Sequence, residues 1–499
     1  MQKLLLSLTF FAIYTSLFAQ DKENIFLKRE FWQANPSTEL IKAKIAEGND
    51  PCQQDEFGFD AVSYGIIDNT NNESLQYLLT LDNNKVSKPT HGGVTYLLWA
   101  AYKGNLALIS HLIDLGSEIN FTTNRGTNIL LMSGFGSQVD TSLYNFMFQN
   151  GVDVNSSNSN ETNILLALAG SDANNKSIFD FLINKGLNWN YLDKEGNGFF
   201  HYAARAGNIS NMKLALDKQI DFQLINNNEE NAIFFASYGR KRSEVILETF
   251  TFLDSLGLNP NSVNIDGQTP LHHAVKRGNI DVINFLINHG VNVNQIDHQG
   301  NTAFMNSVLG KVENVRRLLP LSKNINHVNK DGHSALSNSV RYFKKDAFDF
   351  LIENGADLKV INNEGEDLIG LCFKNYSKRR KENFEHIVGV LSNKGVVAKP
   401  NYSLGNTLIH YAIEKNSLFL VKKALEMNTD PNQKNDMGLT SLHLSAMKAT
   451  NNEIIDVLIA AGADKSILTD FGESSYDLAS ENEILISNKT DISRLQVNN

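Results

Sequence analysis

One short pattern recurs along most of the chain and limits what the chain can fold into. The pattern is a glycine, one residue, a threonine or its substitute, a small residue, an aliphatic residue and, three positions later, another small residue. Its starts are Gly58, Gly93, Arg125, Asn160, Gly196, Glu229, Gly267, Gly300, Gly332, Gly365, Gly405, Gly438 and Gly472. The starts lie 32 to 40 residues apart and cluster at 33. A period of this length indicates stacked supersecondary units and not a few globular domains.

Each repeat has room for two short helices. A second signature follows about 23 residues after a start and consists of a glycine behind an apolar run, which is typical of a helix end. These glycines are Gly116, Gly151, Gly186, Gly257, Gly290, Gly355 and Gly462. In the repeat from Gly267, Leu271 and Val275 mark an apolar side of the first helix, Gly278 breaks it, and Ile283 and Leu286 mark the second.

Such a unit is too thin to bury its own apolar face, so it must stack on its neighbours. With TPLHHA at Thr269 and related copies in register, roughly residues 35 to 480 closely resemble the ankyrin repeat family. The resemblance implies an all-α ankyrin-repeat solenoid of stacked helix-turn-helix units with β-turn fingers, with about 12 units plus terminal caps. It also implies a concave groove lined by the turn tips and the outward part of each first helix.

The ends of the chain are interpreted separately. Lys3 precedes an apolar run from Leu4 to about Phe18, and Ala19 follows, which predicts a secretory signal peptide at 1–20, with an uncleaved anchor as the alternative. We expect amino-terminal cap helices at 21–57, a solenoid at 58–471, a carboxyl-terminal cap at 472–486 and a flexible tail at 487–499. Asn35 is the predicted helix cap and Pro36 the first helical residue, Gly48 ends that cap segment, and Asp477 takes a histidine slot in the last repeat.

The paired histidines of TPLHHA could suggest a metal or proton-transfer site. By resemblance, His272 is instead the family's structural histidine, in the slot also filled by His201, His410 and His443, where the imidazole and the neighbouring threonine tie the turn to the backbone of the next repeat. The neighbouring position of His273 varies freely, with Trp99, Tyr202, Tyr411 and Leu444 in other repeats. We therefore expect packing here and no metal ligation.

Nothing in the sequence points to catalysis. No HExxH, CxxC, Walker or GxSxG motif occurs, and no stretch remains outside the repeats and ends to form a catalytic domain. Cys52 and Cys372 are expected to be unpaired thiols in distant repeats. The net charge of −10 argues against a nucleic-acid partner, and the basic runs at 240–242 and 378–381 are expected to be solvated loops between helices or docking contacts. No cofactor or metal is predicted.

The groove positions are the two residues before the glycine that ends each first helix. Eight of these positions are basic and two are acidic, and tyrosines lie among them. The candidate partner-binding residues are Tyr102, Lys103, Arg205, Tyr238, Lys276, Arg277, Arg341, Tyr342, Lys374, Lys415 and Lys448. We expect the acidic residues of the turn tips to form a rim beside this basic stripe: Asp193, Glu195, Glu229, Glu230, Asp266, Asp297, Asp331, Glu364, Glu366, Asp436, Asp470 and Glu473. The stripe either serves solubility and helix-end electrostatics or binds a partner with an anionic or mixed-charge surface.

These features predict a non-enzymatic protein-protein interaction scaffold, exported and of bacterial origin, that acts in the periplasm or outside the cell. It would be monomeric, without an integral membrane span after signal cleavage, and it would bind another protein on its concave face. The alternative is a dedicated inhibitor or immunity protein that neutralises one cognate enzyme or toxin.

Overall fold

The structure is a computed structural model that describes residues 23–171, 176–240 and 245–497. Within these ranges the regular elements are helices, and the only β-type pairs are isolated bridges such as Ile296 with Thr302 and Val328 with Ser334. The fold class is therefore all-α, as predicted. The chain falls into two compact units, one ending at Asn227 and the other beginning at Asn228. One uninterrupted solenoid over 58–471 stays a prediction, and the expected signal peptide lies outside the described residues.

The repeat from Gly267 shows how the sequence forms a helical hairpin. Thr269 precedes the first helix, and Pro270 begins it at a position where a missing N–H costs nothing. The first helix is Pro270–Arg277, and the second, Ile280–Asn288, is capped by the Asn279 side chain, which accepts from the Val282 N–H at 3.1 Å. Gly290 follows at φ +83°, in the left-handed region that favours glycine. The predicted helix end at this glycine is confirmed.

The described part of the first unit contains a 3₁₀ turn and two α-helices at its amino-terminal end, followed by five helical hairpins. Its amino-terminal helices are Ile25–Leu27 (3₁₀), Arg29–Gln33 and Thr38–Ala46. The first helices of its hairpins are Ala61–Ile67, Tyr96–Tyr102, Ile129–Phe135, Ile164–Ala169 and Phe199–Ala206. The second helices are Asn72–Leu79, Leu106–Asp114, Thr141–Gln149, Lys176–Asn184 and Ile209–Asp217, and a 3₁₀ turn lies at His91–Gly93.

The predicted cap at Asn35 and Pro36 is wrong by two residues. Ser37 is the cap, because its side chain accepts from the Leu40 N–H at 3.3 Å and the helix begins at Thr38. Asn35 instead adopts φ +49°, and its side-chain oxygen accepts from the Asn71 N–H at 2.9 Å in the next repeat. The residue thus joins two repeats and does not start a helix.

Over residues 228–240 and 245–497, the second unit contains eight helical hairpins. Their first helices are Ala232–Tyr238, Pro270–Arg277, Ala303–Ser307, Ala335–Arg341, Leu368–Lys374, Leu408–Glu414, Ser441–Lys448 and Ser475–Ser480. Their second helices are Leu247–Ser255, Ile280–Asn288, Val312–Leu318, Lys345–Glu353, Lys381–Asn393, Leu418–Glu426, Glu453–Ala460 and Glu483–Ser487. The 3₁₀ turns are Leu319–Leu321, Lys378–Arg380, Ser403–Gly405 and Ser493–Leu495.

One basic run becomes part of a helix. The residues of 378–380 form a 3₁₀ turn that leads directly into Lys381–Asn393, which at 13 residues is longer than the second helices of the other repeats. The Arg380 guanidinium lies 5.7 Å from the Phe343 ring centroid, and the Lys381 ammonium lies 4.6 Å from that of Phe419. These cations therefore cover neighbouring aromatic rings. In the other basic run, positions 241 and 242 lie outside the described residues.

Neighbouring repeats are joined by side chains that bond to backbone. The buried Asn314 amide donates to the carbonyls of Val275 at 2.9 Å and Gly278 at 3.2 Å in the preceding repeat. Leu271 and Ile283 are fully buried. Because the apolar contacts and the satisfied carbonyls both cross between repeats, a repeat is stable only against its neighbours.

The β-turn fingers are joined tip to tip by backbone hydrogen bonds. In the second unit the His298 N–H donates to the Asp266 carbonyl at 2.7 Å, and the Lys330 N–H donates to the Gln299 carbonyl at 2.9 Å. In the last repeat, which lies where the carboxyl-terminal cap is expected, the Ser474 N–H donates to the Asp477 carboxylate at 2.8 Å. A flexible tail is expected from residue 487, but Leu495 is fully buried and belongs to the 3₁₀ turn Ser493–Leu495, so this part of the tail is packed.

Candidate functional site

The groove of each repeat lies between the end of its first helix and its own finger. Hydrogen bonds show that these two walls are adjacent: the Tyr202 hydroxyl donates to the Asp193 carboxylate at 2.8 Å, and the Tyr238 hydroxyl donates to Glu230. Lys374 also reaches across to the finger, where it pairs with Glu364. Residues at the last turn of the first helix and on the finger can therefore contact one partner together.

In the first unit, three candidate residues lie at the predicted positions. Tyr102 ends a first helix, and its ring contacts Trp99 edge to face at 6.1 Å. Its backbone carbonyl accepts from the Gln138 amide of the next repeat at 2.9 Å, so the backbone is fixed. Lys103 follows as the helix cap and is half-buried, whereas Arg205 is exposed. The structure thus places all three at first-helix ends.

In the second unit, Lys276 and Arg277 end the helix that begins within the TPLHH motif. Arg277 is exposed, and its guanidinium donates to the Tyr238 carbonyl at 3.3 Å. Lys276 is half-buried, and this burial lowers its pKa, with nearby Arg277 acting in the same direction and Asp297 opposing it. A partly desolvated ammonium interacts more strongly with an incoming anion than a fully hydrated one does.

Arg341 and Tyr342 lie against each other at the end of a first helix. The Arg341 guanidinium lies 5.5 Å from the Tyr342 ring centroid, which is within the range of a cation–π interaction. The tyrosine is 38% exposed. Stacking restricts both side chains before binding, and less conformational entropy is then lost when a partner orders them.

Two of the three remaining candidates have partners within the chain. Lys374 forms ion pairs with Glu364 and the buried Glu366; although burial lowers its pKa, hydrogen bonds to these carboxylates raise it by more. Lys448 pairs with Glu414 of the preceding repeat. Lys415 is exposed. The positive charge of the stripe in the second unit therefore rests mainly on Lys276, Arg277, Arg341 and Lys415.

The predicted acidic rim is wrong for four of its residues. Asp193, Glu230, Asp297 and Glu366 are at most 7% exposed. Asp297 shows the reason: its carboxylate accepts from the N–H groups of Gln299 at 2.9 Å and Asn301 at 2.7 Å and so holds the finger's own turn. The acidic residues that do lie exposed on the fingers are Glu195, Glu229, Asp266, Asp331, Glu364, Asp436 and Asp470.

The histidine slot has the structural role that the resemblance implies. The Thr269 N–H donates to His272 Nδ1 at 3.0 Å, and His272 Nε2 lies 3.3 Å from the Asn301 carbonyl of the next repeat. His410 Nε2 lies 3.0 Å from the Leu439 carbonyl in the same way. Burial lowers the pKa of His272 and of His410, which keeps both rings neutral at pH 7.

His273 packs in an aromatic setting. Its ring centroid lies 4.4 Å from that of Tyr238, and among the described residues its Nε2 is buried without a hydrogen-bond partner. Burial lowers the pKa of His273 to about 3. Over the described ranges, no group of three His, Cys, Asp or Glu residues could hold a metal ion.

Other candidate sites offer little chemistry. Cys52 and Cys372 are both free thiols, and burial raises the pKa of each. A polar cavity of about 450 Å³ lies beside Lys344 and Lys345 in the second unit, but these ammonium groups already bond to the Leu309 carbonyl and to Asp349. No described helix has the length and apolarity needed to cross a membrane.

The sequence analysis missed an exposed aliphatic row on the fingers. Four consecutive repeats of the second unit carry a β-branched residue four positions before the starting glycine, and each is between 41% and 50% exposed. These residues are Val263, Ile296, Val328 and Ile361. Their position relative to the glycine could have revealed them, because it is the same in all four repeats. Aliphatic side chains repeated on one surface favour a protein partner.

Comparison with protein-family models identifies the repeats. The model described as ankyrin repeats (3 copies) matches residues 245–328 and 377–469, and the model described as ankyrin repeats (many copies) matches residues 165–214. The matched repeats are therefore ankyrin repeats. The general function that this class indicates is protein-protein interaction.

Similarity to individual proteins is confined to parts of them. The chain is 29% identical over 210 residues to an intracellular phospholipase A2 of Caenorhabditis elegans, covering 40% of this chain and 19% of that protein. It is 32% identical over 112 residues to a transient receptor potential cation channel subfamily A member 1 homolog of the same organism, covering 22% and 9%. A putative ankyrin repeat protein, FPV223, of fowlpox virus is 54% identical over 37 residues, covering 7% and 26%.

The chain thus spans about a quarter or less of the length of these curated relatives. Among solved structures, the human ASB11 ankyrin repeat domain matches with 22% identity and a TM-score of 0.33, over 45% of this chain and 96% of that one.

Proposed function

We propose that the chain is a non-enzymatic scaffold that binds another protein on the concave face of its repeats, in the periplasm or outside the cell. The observation that carries this proposal is the set of groove residues that the stack does not bury. Arg277, Tyr342 and Lys415 are exposed at first-helix ends, where they contribute little to the packing of the repeats. Side chains that a fold does not need for its own packing are available for recognition.

Charge and aromatic character together indicate the kind of partner. Arg277, Arg341 and Lys415 leave the groove of the second unit with positive charge, although the whole chain carries −10. Tyr342 adds an amphipathic ring beside Arg341. Arginine and tyrosine are enriched among the residues that dominate binding energy. An anionic or mixed-charge protein surface therefore fits this groove best.

The location outside the cytoplasm rests on the sequence pattern at 1–20. A charged start, a short apolar run and a small residue at the end are typical of a secretory signal. Cell fractionation and amino-terminal sequencing of the mature chain test this part of the proposal. A cytoplasmic chain that retains Met1 would contradict it.

The groove is tested by reversing charge at Lys276 and Arg277. Partners are first identified by pull-down with the mature chain, and the double variant Lys276→Glu and Arg277→Glu is then measured by surface plasmon resonance. We expect slower association and a weaker dependence on salt, because charges at a binding surface steer encounter. Folding should change little, since Arg277 is exposed and Lys276 is only half-buried. The matched control is Lys359→Glu with Lys422→Glu, which makes the same charge change at exposed positions away from the first-helix ends.

Unchanged kinetics in the first variant, or equal losses in both variants, would remove the stripe from the proposal. The number of partners separates the scaffold from the alternative function. Several partners of moderate affinity support a scaffold, whereas one tight stoichiometric enzyme or toxin supports the inhibitor.

A further inference from the structure

The fingertips of the last three repeats differ from those of the six repeats directly before them. In the six preceding repeats, the residue directly before the starting position is polar: Glu195, Asn228, Asp266, Gln299, Asp331 and Glu364. In the last three repeats the same position holds Leu404, Met437 and Phe471. These side chains are 63%, 53% and 89% exposed. We call Leu404, Met437 and Phe471 the fingertip row.

The three fingertips are joined to one another. The Asp436 N–H donates to the Leu404 carbonyl at 3.0 Å, which fixes the second tip against the first. The Lys434 ammonium pairs with Asp470 at 3.0 Å, which connects the second tip to the third. Leu404 accepts the first of these contacts through its carbonyl, and Met437 and Phe471 directly follow Asp436 and Asp470 in the chain. The three side chains therefore belong to one surface in the second unit.

Leu404 occupies a backbone conformation that does not suit leucine. Its φ is +58°, in the left-handed region that side chains with a Cβ disfavour. The 3₁₀ turn His91–Gly93 of the first unit has a glycine, Gly92 at φ +67°, at the position that Leu404 takes in Ser403–Gly405. Since Leu404 is mostly exposed, little packing offsets this strain. An exposed apolar residue kept where glycine fits better points to a role at the surface.

The charges beside the fingertip row select among possible partners. Asp436 and Asp470 are exposed carboxylates next to Met437 and Phe471, and Lys434 is the ammonium that pairs with Asp470. Two carboxylates against one ammonium leave this edge negative. An anionic lipid surface would be repelled, whereas lysine or arginine side chains of a partner would be attracted.

We propose that the fingertip row binds a segment of a partner protein that combines large apolar side chains with flanking lysine or arginine residues. This inference rests on the proposed protein-binding function, but it adds a second contact surface that is separate from the first-helix stripe. Leu404, Met437 and Phe471 provide the apolar contact, and Asp436 and Asp470 pair with the basic flanks. Apolar contacts surrounded by complementary charge are typical of specific interfaces.

The test uses a random peptide library displayed on phage and selected on the full chain. We expect enriched peptides with aromatic or aliphatic residues beside Lys or Arg. Their Kd, measured by fluorescence anisotropy, should rise about tenfold or more in the triple variant Leu404→Ser, Met437→Ser and Phe471→Ser. The double variant Asp436→Asn and Asp470→Asn should weaken binding less and reduce its salt dependence.

The matched control is the triple variant Val397→Ser, Ile484→Ser and Ile486→Ser. It removes the same number of exposed apolar side chains from the second unit, which are 84%, 49% and 58% exposed, and it leaves the fingertip row intact. We expect this control to bind the selected peptides with unchanged affinity. Equal losses in both triple variants would overturn the inference, and so would a selection without enriched peptides.

Two further measurements address other occupants. Sedimentation with phosphatidylglycerol vesicles would overturn the inference if the wild type bound and the fingertip variant did not. Concentration-dependent dimers in analytical ultracentrifugation, lost in the same variant, would overturn it in favour of a second copy of the chain. The Lys276→Glu and Arg277→Glu variant separates the two proposals: if it still binds the peptides while the fingertip variant does not, the fingertip row holds whether or not the stripe does.

Discussion

The half-buried ring of His273, whose Nε2 is buried without a hydrogen-bond partner among the described residues, makes the helix Pro270–Arg277 sensitive to acid. Burial lowers the pKa of His273 to about 3, with Lys276 and His272 acting in the same direction and Asp297 opposing them. A histidine with a lowered folded-state pKa stabilises the fold above its unfolded pKa of 6.5 and loses that contribution as the pH falls. Between pH 6.5 and about pH 5, the contribution of His273 to the free energy of unfolding falls by about 2 kcal/mol, at 1.36 kcal/mol per pH unit.

The change His273→Leu removes this loss. Leu444 occupies the corresponding position of another repeat, so the helix tolerates leucine there. At neutral pH we expect a change in local stability within about 1 kcal/mol. The variant loses the edge contact with Tyr238, but the buried nitrogen without a partner is also gone, and the two effects oppose each other.

Amide hydrogen exchange measured by mass spectrometry reads local opening of the helix. Between neutral pH and about pH 5, the wild type should lose about 30-fold more protection in Pro270–Arg277 than His273→Leu does, which is the ratio that about 2 kcal/mol corresponds to. His298→Leu, at an exposed position on a finger, is the control and should behave like the wild type. Equal acid sensitivity in the wild type and His273→Leu would refute the reasoning.

Three further changes have expected outcomes. Leu271→Ala should cost about 2–5 kcal/mol, and exchange protection should fall mainly in the adjoining repeats; uniform loss over every repeat would contradict nearest-neighbour stacking. Asn279→Ala should cost about 1 kcal/mol in chemical denaturation by removing the cap of the second helix, and Asn279→Ser should restore most of it. Leu404→Gly should raise the melting temperature by relieving a left-handed strain of about 1–2 kcal/mol, and a lower melting temperature would show that the leucine packs.

Much of the fold could be predicted because the same helix-start and helix-end residues recur at nearly the same positions in each repeat. A glycine behind an apolar run marks a helix end wherever it occurs, and Gly116, Gly290 and Gly355 all adopt the positive φ that this requires. The structural role of His272 followed from the resemblance to the ankyrin repeat family, and the variable residue at the position of His273 favoured packing over metal ligation. Local chemistry and periodicity decide these features.

Features that depend on partners far along the chain were not predictable. Lys448 is neutralised by Glu414, 34 residues away, and sequence spacing alone does not show which charges meet. Asp297 belongs to a polar finger sequence, but it is buried because its carboxylate holds the turn. Asn35 resembles a helix cap and instead bonds to Asn71 in the next repeat. In each case the role of the side chain depends on which groups the folded chain places beside it.

We propose that this chain acts by binding proteins through the first-helix stripe and the fingertip row. Quantitative pull-down from the native host, comparing the wild type with the Lys276→Glu and Arg277→Glu variant and the triple-serine fingertip variant, tests it most directly. We expect at least one protein that is enriched by the wild type and lost from one or both variants. Equal recovery of every bound protein by all three chains would contradict it.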